Sequence, residues 1–173
     1  MLMQISRHCV LHAMRNFLKA DSLPAHKERR LVAHPPQKLY ELVSDIESYP
    51  QFLPWVTGVR VRSRGTAGDN QVIIADVLIS YKMFRETFRS SVTLNPEHRT
   101  IDVEYVNGPF KHLDNHWRFE PTTEGTEVDF AVDFEFRSRM MERMITGMFD
   151  KAVHKIVTAF FDRADELYGD TEE

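Results

Sequence analysis

The stretch Val128-Asp129-Phe130-Ala131-Val132-Asp133-Phe134-Glu135-Phe136-Arg137 decides the fold. Its period is two. Val128, Phe130, Val132, Phe134 and Phe136 point to one face of a strand, and Asp129, Asp133, Glu135 and Arg137 to the other. Directly downstream the period changes. From Ser138 to Tyr168 there is no proline and one glycine, Gly147. Ile145, Phe149, Val153, Ile156, Phe160, Ala164 and Leu167 recur at helical spacing. This predicts one long helix, ended by Gly169. A strand with one apolar face and a helix with one apolar stripe each need cover, and each can cover the other.

Working upstream, the same two-residue period repeats. Val59 and Val61 alternate with Arg60, Arg62 and Arg64; Ala75, Val77, Ile79 and Tyr81 with Asp76 and Ser80. Phe84, Phe88, Val92 and Leu94 alternate with Arg85, Arg89 and Ser91. Ile101, Val103 and Tyr105 alternate with Asp102 and Glu104; Leu113, Trp117 and Phe119 with Asp114, His116 and Arg118. Gly65–Asn70, Asn95-Pro96-Glu97 and Gly125 are turn signals between them. Successive strands with one apolar and one charged face predict an antiparallel sheet wetted on one side.

Earlier still, His26 to Ala33 reads as a first strand, stopped by His34-Pro35-Pro36. Leu39, Leu42, Val43 and Ile46 then predict a short helix opened by proline. Ser48-Tyr49-Pro50 breaks it, and Gln51-Phe52-Leu53-Pro54-Trp55 is a second short helix or a turn. The fold class is therefore α+β. A curved antiparallel sheet of about six or seven strands wraps a long C-terminal helix, with two short helices after the first strand. A single helix does not fill such a concavity, so an internal cavity is expected.

The chain has 173 residues and divides into an extension (1–23), one domain (24–169) and an acidic tail (170–173). Met1 to Ala20 carries Arg7, Arg15 and Lys19 but no acid, with Met3, Val10, Met14, Phe17 and Leu18 on one helical side. It reads as a flexible tail added by an upstream start, with a transit peptide or interfacial helix as the alternatives. A net charge of −4 gives no basic excess for DNA. The lone Cys9 excludes a disulfide within these residues and a Cys-rich zinc site. No apolar run approaches the ~18 residues that span a bilayer. His112 and His116 have metal-pair spacing, but on a strand they stand about 13 Å apart and cannot share an ion. No Gly-rich phosphate loop and no nucleophile elbow occur.

Three motifs carry a resemblance. They are Tyr49-Pro50-x-Phe52-Leu53-Pro54-Trp55, then Gly108-Pro109-Phe110-Lys111-His112-Leu113-x-Asn115-x-Trp117-x-Phe119-x-Pro121, then Val128-Asp129-Phe130 before a long helix. Together they resemble the coenzyme Q-binding protein family of the START-like superfamily, also described as polyketide cyclase/dehydrase and lipid transport proteins. The resemblance runs from about residue 25 to about residue 169. It implies a helix-grip fold and a hydrophobic tunnel for ubiquinone or a similar polyprenyl lipid, in support of respiration. Some members carry a cysteine directly after the Pro-Trp; here Val56 stands there, so no thiol role is carried over.

The expected function is a non-catalytic ubiquinone-binding protein or chaperone that requires no cofactor. Ribosome association is the first alternative, since bacterial relatives include proteins described as ribosome-association toxins. Cyclase or aromatase chemistry, known in START-like relatives, is the second. For the carrier, the strands supply walls from Val77, Ile79, Tyr81, Phe88, Val103, Tyr105, Trp117, Phe130, Val132 and Phe134. The helix supplies Met141, Met144, Ile145, Met148 and Phe149. Phe52 and Trp55 stand at the mouth, and the apolar rim near Arg137, Arg139 and Arg143 is suited to transient contact with an anionic membrane. Two polar residues fall on the apolar phase: Glu86, and Asn115, which joins the ligand-binding set. For ribosomal RNA, Arg60, Arg62, Arg64, Arg85 and Arg89 form the candidate basic face, with acids on neighbouring strands expected to offset them. The expected location is the bacterial cytoplasm at the inner membrane, or in a eukaryote the matrix side of the mitochondrial inner membrane.

Overall fold

The computed structural model describes residues 25–169. The extension and acidic tail read from the sequence lie outside the described residues. Seven antiparallel strands form one sheet: β1 (Ala25–Val32), β2 (Val56–Ala67), β3 (Asn70–Tyr81), β4 (Phe84–Asn95), β5 (Thr100–Asn107), β6 (Phe110–Thr122) and β7 (Gly125–Phe136). Their spatial order is β1-β7-β6-β5-β4-β3-β2. Strands β2 to β7 are a run of hairpins, and β1 crosses to pair with β7, the last strand.

Between β1 and β2 lie helix α1 (Pro36–Ser44) and a 3-10 helix (Ile46–Gln51). Pro36 opens α1 as expected, and Leu39, Tyr40, Leu42 and Val43 are its buried face. The second short helix comes earlier in the chain than the apolar knot. Pro50 is accommodated inside the 3-10 segment, and Phe52 to Trp55 turn the chain into β2.

The C-terminal segment departs from the single long helix. It forms α2 (Arg139–Thr146) and α3 (Phe149–Tyr168). Gly147 is the poorest helix former in the run after proline's exclusion, and at Met148 the backbone leaves the helical region (φ −124°, ψ −3°). The Met148 N–H bonds back to the Ile145 carbonyl at 2.8 Å, closing α2 with a tight turn. Ser138 caps its start by accepting from Met141 N–H. The core stripe of α3 is Phe149, Val153, Val157, Phe160 and Ala164. Leu167, assigned to that stripe from its spacing, is half-exposed near the helix end.

Two glycines permit the sheet's close approaches. At Gly108 φ is +138°, and a Cβ there would stand 2.8 Å from Phe88 Cα. At Gly125 φ is +137°, and a Cβ would stand 2.3 Å from the Val32 carbonyl oxygen. Register shifts in β2, near Val56/Gly58 and Val61/Ser63, accompany the curvature at that edge.

The charged face is a set of cross-strand pairs. Asp76 on β3 is almost wholly covered and receives Arg62 from β2 and Arg89 from β4, each with a contact of 2.6 Å. These guanidinium groups, Arg89 first, hold its carboxyl down at about 2. Arg29 likewise meets Asp129 at 2.7 Å.

Candidate hydrophobic ligand site

The concave face of the sheet, α2 and α3 enclose a cavity of about 350 Å³. That lies at the small end of the range of about 300–1,000 Å³ typical of small-molecule sites. One end is closed. There Ile46, Leu53, Ala75, Val92, Ile101, Trp117 and Phe160 line it and are all buried. At the other end Trp55, Tyr81, Phe84, Glu86, Pro109, Met144 and Met148 line it, and all are only half-buried. The cavity therefore opens between the β3–β4 hairpin, the β5–β6 turn and α2.

The local chain explains the mouth. Trp55 has φ of +68°, a left-handed conformation outside glycine, and its carbonyl accepts from Ser80 N–H at 2.8 Å. This directs the indole edge-on to the Tyr81 ring at 5.3 Å between centroids. Tyr81 Oη reaches the Met148 sulfur at 3.5 Å, tying the hairpin to the α2–α3 break. Beneath α2, Phe110 is the hub of an aromatic group: its ring lies 5.4 Å from Phe88, 5.8 Å from Tyr105 and 4.7 Å from Phe136. Met141 and Ile145 of α2 pack on that group.

Every residue assigned to the wall from the sequence lines the cavity, except Phe52 and Tyr105. Phe52 instead packs edge-on to Tyr49 and Phe160 at 6.0 and 5.3 Å, with the Arg163 guanidinium over its ring. It docks the knot on α3, because the 3-10 helix turns it away from the opening. Tyr105 packs against Phe110 behind the wall, and its hydroxyl is buried without a hydrogen-bond partner among the described residues. Phe84, Leu113 and Phe136 belong to the wall but were missing from the expected set. Each lies on the inward phase of its own strand, so period two alone held the signal. Phe110 was visible only as part of a motif.

The wall has few polar side chains. Asn115 is largely committed: its Nδ2 donates to the Ala131 carbonyl at 2.9 Å, and its Oδ1 accepts from Trp117 Nε1 at 3.0 Å. Tyr49 donates to the Val43 carbonyl at 2.5 Å, and its burial raises the hydroxyl's pKa. Glu86 lies cross-strand from Ile79, near the mouth, and its carboxylate has no hydrogen-bond or ion-pair partner among the described residues. His112 bonds Asp133 at 2.9 Å and His116 bonds Asp102 at 2.5 Å, both on the charged face, so the two imidazoles take separate carboxylates.

Comparison with known proteins agrees with this architecture. Residues 32–161 match the family model described as polyketide cyclase/dehydrase and lipid transport. A ribosome association toxin RatA from Rickettsia prowazekii is 35% identical over 142 residues, spanning 80% of this chain and 94% of that protein. A mitochondrial coenzyme Q-binding protein COQ10 homolog B from Xenopus laevis is 28% identical over 151 residues, 85% of this chain and 60% of that protein. The solution structure of an 18 kDa protein from Caulobacter crescentus superposes with a TM-score of 0.72 at 34% identity, covering 85% of this chain and 99% of that one. With the seven-stranded sheet gripping a C-terminal helix, these similarities establish that the chain belongs to the polyketide cyclase/dehydrase and lipid transport family, on the START-like helix-grip fold, with coenzyme Q-binding proteins and ribosome association toxins among its relatives.

Proposed function

We propose that this protein is a non-catalytic carrier for ubiquinone or a similar polyprenyl lipid. The observation that carries the reading is the cavity: about 350 Å³, walled by aliphatic and aromatic side chains, closed at one end and open at the other. Each CH₂ moved from water into such a space contributes about 0.8 kcal/mol. The cavity has room for a ring just behind its mouth, and a long polyprenyl chain leaves through that mouth. Beside the opening, Met83 and Met140 are 94% and 70% exposed, with Lys82, Arg139 and Arg143 also on the surface. Apolar tips among bases suit an anionic membrane, where such a tail already resides. A bacterial inner membrane, or the matrix face of the mitochondrial one, fits that use.

The non-catalytic reading rests on how the cavity's polar groups are spread. Glu86 and Asn115 belong to rows six residues apart along β4, since Asn115 pairs with Val103 and Val103 with Val92. That is about 20 Å at about 3.4 Å per residue, and Ser90, four residues from Glu86 on the same strand, stands about 14 Å from it, so neither shares a reacting centre with the carboxylate.

Ribosome association is a second reading, favoured by the names of relatives such as the Rickettsia protein. The charged face offers RNA only part of the expected basic surface. Arg62 and Arg89 share the one carboxylate of Asp76, and Arg64 meets Glu47 at 2.5 Å, so these two acids offset two of the five positive charges on the candidate basic face.

The deciding experiment purifies the protein from a ubiquinone-producing host, extracts it with organic solvent and identifies bound lipid by mass spectrometry. Near-stoichiometric quinone supports the carrier. A folded protein without lipid that co-sediments with ribosomes overturns it in favour of the second reading.

A further inference from the structure

The lone carboxylate in the cavity wall has a chemical consequence. Glu86 extends from β4 on the inward phase, between Phe84 and Phe88, all three lining the cavity near its mouth. Its cross-strand neighbour is Ile79, which in turn pairs with Val56. No hydrogen bond or ion pair from the described residues satisfies it. Nearby Arg85 and Arg89 lie on the opposite phase of the strand, and Arg89 is already taken by Asp76. Asn115 is occupied and about 20 Å along the sheet, and Ser90 lies four residues from Glu86 on the same strand, about 14 Å away.

A carboxylate accepts hydrogen bonds and donates none. A quinone ring also offers only acceptors, through its carbonyl and methoxy oxygens. Setting a quinone carbonyl beside Glu86 would leave two acceptors facing each other at the rim of an apolar cavity, with only water to bridge them. The reduced ring differs at just these atoms. A hydroquinone carries two O–H donors, and one of them can bond directly to the carboxylate. Hydrogen bonds to a charged partner are the stronger kind.

We propose that Glu86 makes the cavity selective for the reduced, hydroquinone form of its ligand over the oxidised quinone, with the ring held near the mouth. This deepens the carrier reading and rests on it. It assigns the protein to ligand in the electron-rich state, the form that an oxidase or another quinol-consuming enzyme uses. No redox step occurs on the protein.

The test measures binding of decylubiquinone and of chemically reduced decylubiquinol by equilibrium dialysis under argon, with wild type, Glu86→Gln and Val132→Trp. Glutamine keeps the size of the side chain but offers both a donor and an acceptor. Wild type is expected to hold the quinol at least about tenfold more tightly, the factor that one charge-assisted hydrogen bond supplies. Glu86→Gln is expected to bring the two forms within about threefold of each other, mainly by improving the quinone. Val132→Trp, which narrows the cavity, weakens both and so separates cavity binding from adhesion to the surface. Equal affinity in wild type, a preference for quinone, or a quinol preference that survives Glu86→Gln would each overturn the role of Glu86 while leaving the carrier reading in place. Failure of folded wild type to bind either form overturns the carrier reading and this inference with it.

Discussion

The indole Nε1 of Trp117 donates a 3.0 Å hydrogen bond to Oδ1 of Asn115, two residues back on the same face of β6. The indole is buried among Phe130, Phe119 and Phe160, with centroid distances of 4.4, 6.0 and 5.2 Å. A buried indole N–H needs an acceptor, and Asn115 supplies it while its own amide is anchored on Ala131 of β7. Asn115→Leu removes the acceptor and leaves the donor stranded. The expected cost is about 1–3 kcal/mol in urea-denaturation stability. Ligand affinity should change little, because the amide is already committed. A variant as stable as wild type but unable to bind ligand would reverse this assignment and make Asn115 a ligand contact.

The phase of the strands was legible from sequence because the sheet is wet on one side only. A one-residue slip would bury Asp129 and Asp133 in place of Phe130 and Val132, so the apolar face is fixed by alternation alone. The break at Gly147–Met148 was not legible. Apolar spacing continues across it, from Ile145 to Phe149, and a single glycine is tolerated inside many helices. What decides it is tertiary: α2 packs on the Phe110 and Phe136 group at the cavity mouth, while α3 packs in the main core. Phe52 was misplaced for a similar reason. Its composition suits a rim, but the direction of a side chain in a proline-bounded turn depends on backbone angles that no periodicity encodes.

The Gly108-Pro109-Phe110 motif has a physical basis that substitution can expose. Gly108 takes φ of +138° and leaves no room for a Cβ beside Phe88. The next carbonyl, on Pro109, accepts from Arg137 N–H at 2.9 Å, and the Phe110 carbonyl accepts from Arg137 Nε at 2.7 Å. The turn thus positions Phe110, the floor beneath α2, and joins it to the end of β7. Gly108→Ala is expected to destabilise the fold by about 1–3 kcal/mol through backbone strain, with a further penalty from the clash. Thermal unfolding checks this. A melting temperature equal to that of wild type would show that the β5–β6 turn moves freely to admit a side chain.

The clamp on Asp76 predicts a pH signature. Its folded pKa of about 2 lies below the ordinary aspartate value of 3.8, so the unfolded chain takes up the proton first as pH falls. Its contribution is fully present above the unfolded value. It is lost as pH drops from about 4 towards about 2. Wild type and Asp76→Asn should therefore differ in urea-denaturation stability by a constant amount from about pH 7 to about pH 5, and the difference should shrink below about pH 4. A gap that stays constant down to about pH 2 would show that the carboxylate charge is not what Arg62 and Arg89 stabilise.

Val132 gives the cleanest probe of the cavity itself. It lies on the inward face of β7, paired with Asn115 on one side and His26 on the other, and it lines the cavity. Enlarging a residue in a packed core costs about 1–3 kcal/mol, but here empty volume lies directly in front of the side chain. Val132→Trp should therefore fold with a loss of stability at or below the lower end of that range, and its circular dichroism spectrum should match wild type apart from the added indole. Lipid recovered after purification from a ubiquinone-producing host should fall by about tenfold or more, since the indole occupies the space that a ring or tail needs. A well-folded Val132→Trp protein that retains the wild-type amount of lipid would place the ligand elsewhere, and the surface around Met83 and Met140 would then be the next to substitute.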